Sequence, residues 1–495
     1  MDQARNGLLA SIICLTLVAS AMSRPAAGDE TLRAALDLRA KYAADIEQLA
    51  AWCDENSLAE EARKTRQVLG PNDPHKLYVP VLPDEVEPPK LPAEAPPKVA
   101  EWDSRLWRLR RSHAAALYEL ARRAVRSGHA GLAFELALAA IQANPDYEPV
   151  RRLFGYQKYG GRWRTIYEVR NLRAGNVWSE KFGWMPKARL RRYEGGERYA
   201  NGRWISAAED AERRRDIRSG RDVETEHYTI RTNHGIEAAV ALGVKLERLY
   251  RLWQQLFIRY HASQADVAAL FDGRSRPGAV AAPRHNVVLF RDRDDYNRSL
   301  RAAMPKIGIS TGVYVEQTRR AYFFAGPESD DRTLYHEATH QLFHESRPVV
   351  PGVGRKANFW IVEGIAMFME SLCEEDGYYV LGGFDDERVH AARHRLLHDN
   401  FYVPLDELVG YGMDKLQKDP RIATLYSQAA GLTNFLIFYD GGRYRDAVVS
   451  YLSAVYTGRD NRDTLARLTG ANYAELDEQY REFVEGKKAT AEGGK

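Results

Sequence analysis

The sequence predicts an α+β protein built from several modules. Two observations give the class. Apolar residues three and four apart, the spacing of one helix face, dominate both ends of the chain, while short β-rich runs such as EHYTIRTN (226–233) and HNVVLF (285–290) lie between them. A third sets the scale: 495 residues exceed one average domain, and a hydrophobic content of 44% is enough to bury more than one core.

The N-terminus carries Arg5, then an apolar run over 7–21, with small residues at Ala19 and Ala21. This order reads as a secretory signal peptide over 1–21, which places the mature protein outside the cytoplasm. An uncleaved anchor is the competing reading, but the run is short for a span and no later segment is long and apolar enough for one. Cys14 falls inside it. Cys53 and Cys373 remain, so one disulfide is open but not implied.

Residues 22–70 read as helical, from TLRAALDLRAKYAADIEQLAAW. Prolines crowd 71–100, which reads as an extended spacer, since proline removes donors and resists both helix and central strand. In 101–155, Trp102, Leu106, Leu109, Leu117 and Leu120 mark one helix. A second helix stops at Asn144-Pro145, and a short third one follows. This hairpin resembles a tetratricopeptide unit, a kind of module that packs or docks a protein partner. Residues 156–210 hold KYGGRW and RYANGRW, read as two related hairpins with Trp163 and Trp204 as core aromatics. The basic stretch 211–221 reads as a surface segment or hinge. With 71 basic against 68 acidic residues overall, the chain has no nucleic-acid-binding balance. An α+β domain is expected over 222–486, with a tail at 487–495.

Chemistry concentrates in LYHEATHQLFHE (334–345). His336 and His340 are four apart, so a helix places both imidazoles on one face, close enough to share an ion. Asp330 and Asp331 suit the N-terminal turn of that helix. Glu337 sits beside the first histidine, placed to take a proton from water activated by the metal. A third ligand is read at Glu363, the lone acid in the apolar run from Phe359 to Met369, where an unpaired carboxylate would be expensive. Gly364 would let that helix approach a neighbour closely. His344 drifts around the helix and reads as pocket wall. Glu370 lies two turns past Glu363, too far along the axis for the same ion. Two histidines, one glutamate and an open position make a catalytic zinc set.

HEATHQ followed by WIVEGIAMFME resembles the gluzincin metallopeptidases. Residues 224–484 are similar to the peptidase MA-like proteins, known largely from secreted proteins of planctomycete-type bacteria. The resemblance implies a thermolysin-like zincin domain, with a mixed sheet and a helical C-terminal half. It implies Zn²⁺ held by His336, His340 and Glu363, Glu337 as base, and hydrolysis of peptide or protein substrates. It also implies an oxyanion donor from the C-terminal part, for which Tyr426 is the match and His390, His394 and His398 are rivals. Two departures stand out. The GAMEN motif of aminopeptidases is absent, which favours an endopeptidase. Met367 stands where thermolysin-like enzymes carry an aspartate that orients a histidine, so that support must come from elsewhere, Glu370 or a backbone carbonyl. The alternatives to a peptidase are a zinc-binding envelope scaffold and a hydrolase of a non-peptide bond.

Overall fold

The computed structural model describes residues 27–86, 91, 94–275 and 283–486. The signal peptide read at 1–21 and the tail read at 487–495 lie outside these. The chain is mixed α+β. No helix among the described residues is long and apolar enough to cross a membrane.

Two helices, Ala27–Glu55 and Ala59–Gln67, cover the stretch read as helical, broken where Ser57 takes a positive φ of 60°. They pack on the long helix Pro97–Arg126, where the Trp102 indole donates to Thr65 Oγ1 at 2.8 Å. Pro97–Arg126 and Ala130–Ala143 form the expected hairpin, and Glu148–Leu153 is the short third helix. This module is not a detached arm: it touches the C-terminal half, and His129 meets Asp446 at 3.0 Å.

The proline-rich stretch is more than a spacer. Lys76–Pro80 forms an antiparallel strand on Tyr378–Gly382, which pairs in turn with Cys373–Glu375. Proline is tolerated there because Pro80 ends an edge strand. The β region also differs from expectation: three hairpin–helix units follow one another, not two. Each is a two-stranded hairpin leading into a short helix: Tyr156–Tyr159 with Arg162–Thr165, Asn176–Ser179 with Gly183–Pro186, and Glu197–Ala200 with Arg203–Ser206. The middle unit has Phe-Gly-Trp (182–184) where the others have Gly-Arg-Trp. Trp163 is buried as read, whereas Trp204 is only partly buried. The basic stretch is tied down, because Arg214 and Arg221 both hold Asp210 at 2.9 Å.

A five-stranded sheet follows, in the order Val313–Val315, Arg320–Phe324, His285–Phe290, Tyr228–Thr232, Arg221–Glu224. The three central strands are parallel and both edge strands antiparallel. Ile236–Leu256 is the long amphipathic helix expected between the second and third strands in sequence. Asp331–Glu345, the histidine helix, lies on this sheet with Leu334, Ala338, Leu342 and Phe343 in a core shared with Val287, Leu289, Ala321 and Phe323. Phe359–Glu370, the glutamate helix, is buried at every residue, between the histidine helix and Ile422–Phe438. Cys53 and Cys373 are both free thiols, the first buried and the second exposed.

Candidate metal centre

The site starts from two helix ends. Asp330 caps the histidine helix by accepting the Thr333 N–H at 2.7 Å. Gln341 fastens the same helix to the sheet by donating to the Asn286 carbonyl at 3.0 Å. The glutamate helix starts after Asn358, which is fully buried at φ 58°, a left-handed conformation that asparagine adopts more readily than most residues. Its side chain donates to Asp460 and accepts from the Tyr451 hydroxyl, each at 2.6 Å. Gly364 then allows the close approach read from sequence. A Cβ there would sit 2.2 Å from Thr433 Oγ1 and 3.0 Å from the Ala429 carbonyl.

These elements bring His336, His340 and Glu363 together, with ligand-capable atoms all within 4.8 Å of one another. The two Nε2 atoms are 3.1 Å apart, and each faces Glu363, at 3.4 and 3.7 Å. The three side chains are only 15, 13 and 11% exposed. So the donor set read from sequence could hold a metal ion.

The tautomer of His336 follows from its other nitrogen. Nδ1 lies 2.7 Å from Glu370 Oε1, so it donates there and turns Nε2 toward the centre. Glu370 is held in turn by Arg332 at 3.3 Å and Arg388 at 3.2 Å. It is therefore a positioning residue for His336, although it is not a ligand. Arg332, one turn before His336, was within reach of a spacing argument; Arg388 comes from a separate helix and left no signal.

Electrostatics agree with a cation at this point. Burial works against a charged His336, but the Glu363 and Glu370 carboxylates outweigh it and lift its pKa to about 10. Burial lowers His340 to about 4. Burial also opposes ionised Glu363, yet the neighbouring histidines keep its pKa below the usual value. The pocket thus favours ionised carboxylates around positive charge.

Glu337, next to His336 on the helix, reaches the sheet edge. Its Oε2 accepts the Tyr314 backbone N–H at 2.7 Å. Burial raises its pKa to about 7. Tyr314, on the edge strand, was not singled out from sequence. The Tyr426 hydroxyl faces the Glu363 carboxylate, so the structure brings Tyr426 to the site. Its three rivals do not share this place: His390, His394 and His398 are exposed, and His394 faces Asp399. His344 is a wall residue, its ring 5.5 Å from Tyr314 and 5.2 Å from Tyr456.

A second group of metal-capable side chains, Glu226, His227 and Glu247, lies elsewhere. No protein-family model matches the chain, and no curated protein matches it.

Proposed function

We propose that the chain is an extracytoplasmic zinc-dependent peptidase of gluzincin type, with a thermolysin-like catalytic domain over 222–486. One observation carries the reading: two histidine Nε2 atoms and a carboxylate converge, while a separate glutamate is pinned beside them. Tetrahedral zinc with Zn–N bonds of about 2.0–2.1 Å separates neighbouring ligand atoms by about 3.3 Å. The Nε2–Nε2 separation of 3.1 Å and the nearest Glu363 approaches, Oε2 to His336 at 3.4 Å and Oε1 to His340 at 3.7 Å, lie near that value. When bound, zinc supplies a Lewis acid that polarises a carbonyl and acidifies water.

The residues then divide the work. His336, His340 and Glu363 hold the ion, and Glu370 keeps His336 turned toward it. Tyr314 fixes one oxygen of Glu337, which leaves the other to take a proton from water as the water oxygen adds to the peptide carbonyl carbon. Glu337 returns that proton to the nitrogen as the C–N bond breaks. Tyr426 supports the developing oxyanion. The outer edge of Val313–Val315 pairs with an extended substrate, which favours cleavage within chains.

The test is Glu337→Gln assayed with a peptide library. Loss of a general base predicts a rate about 10²–10⁴-fold lower, with metal content unchanged. Full activity in that variant would remove Glu337 from the mechanism.

A further inference from the structure

A cavity of about 660 Å³, which shares no lining residue with the metal centre, lies between the long helix Ile236–Leu256, the hairpin units and the strand from the proline-rich stretch. Volumes of about 300–1,000 Å³ are those of small-ligand sites. Its lining is unusual for a structural void. Five carboxylates and four arginines share it with several aromatic rings. Trp178 and Trp184, from the middle hairpin, form one wall with centroids 5.8 Å apart, and Trp178 is 38% exposed.

Arg251 decides how this cavity reads. The other charged lining side chains have hydrogen-bond or ion-pair partners; Arg251 has none among the described residues. Its charge is balanced from a distance by Glu168, Glu226 and Glu247, so the guanidinium donors remain open. Gln255, one turn further along the same face, has a buried Oε1 with no partner. Open guanidinium donors therefore share a cavity with an aromatic wall, and the charges of that cavity nearly cancel. A strongly charged ligand would upset that balance. A neutral polyol would not: its hydroxyls both give and accept hydrogen bonds, and its C–H faces lie on aromatic rings.

We propose that this cavity binds a neutral carbohydrate, a short oligosaccharide, with Arg251 and Glu226 on its hydroxyls and Trp178 against a sugar face. This site is independent of the metal centre.

The test is calorimetry and tryptophan fluorescence on the full mature chain with chitotriose, cellotriose and maltotriose. At least one should bind, with Arg251→Met and Trp178→Ala each weakening it tenfold or more and Glu337→Gln leaving it unchanged. Arg251 makes no hydrogen bond or ion pair among the described residues and Trp178 is 38% exposed, so both variants should fold; should one fail to fold, the other carries the test. If no sugar binds wild type, or binding survives in the folded variants, the proposal is overturned. It is also overturned if only uncharged peptides bind and Arg251→Met abolishes that binding.

Discussion

Among the described residues two His/Glu groups have metal-capable spacing, and they are built for different ends. In Glu226–His227–Glu247 the carboxylate of Glu247 is already used up. Oε1 accepts the Thr225 hydroxyl at 2.6 Å and the His227 N–H at 2.7 Å, and Oε2 meets His227 Nδ1 at 2.7 Å. In His336–His340–Glu363 the nearest histidine–carboxylate approaches are 3.4 and 3.7 Å, and the hydrogen bond that fixes His336 comes from outside the triangle. Proximity of donor atoms is thus a poor guide by itself. What separates a candidate ligand set from a structural knot is whether lone pairs are spent on protein donors or left facing a common point.

That contrast can be broken or sharpened by substitution. The largest effect is expected at the knot: Glu247→Ala strips a partly buried histidine and two further donors of their acceptor, so stability should fall by about 3–5 kcal/mol, read by denaturant titration, with metal content unchanged. The next test compares histidines with and without carboxylates. His261 stacks on Trp253, has an unpartnered Nε2, and is lowered to about 4 by burial, where His336 is raised. A histidine harder to protonate folded than unfolded costs stability as pH falls. The loss begins below the unfolded pKa of about 6.5 and is complete near 4, reaching at most about 3 kcal/mol. Urea midpoints across that window should slope less in His261→Phe.

At the metal centre, Glu370→Ala leaves His336 free to turn, and metal affinity should drop about 10–100-fold, measured by competition with a chelator. Affinity should also rise with pH, because the ion displaces a proton that His336 otherwise holds. The smallest effect is expected at Gly364→Ala. The added methyl meets Thr433 and the Ala429 carbonyl, and overpacking should cost about 1–3 kcal/mol, seen as a lower melting temperature.

Much of this site was legible because its residues are out of character locally. Glu363 is conspicuous as an acid in an apolar run, Gly364 as a small residue beside it, and Asp330 as a cap ahead of a helix. Glu370, read from its distance along the helix as no ligand, meets His336 Nδ1 instead. The grip of Arg388 on it depends on tertiary approach, which has no local trace. The same limit applies to the fold. His285–Phe290 announced itself as a strand, but Lys76–Pro80 is a strand only because Tyr378–Gly382 reaches it from some 300 residues away. The middle hairpin unit escaped notice because Phe182-Gly183 stands where its neighbours have Gly-Arg before the tryptophan.

The most direct measurement is zinc content by elemental analysis of the purified protein beside Glu363→Ala and Glu247→Ala. The account predicts near-stoichiometric zinc in wild type and in Glu247→Ala, and its loss in Glu363→Ala. Zinc retained without Glu363, or absent from wild type even after it is added back, would contradict the assignment of the converging triad as the metal centre.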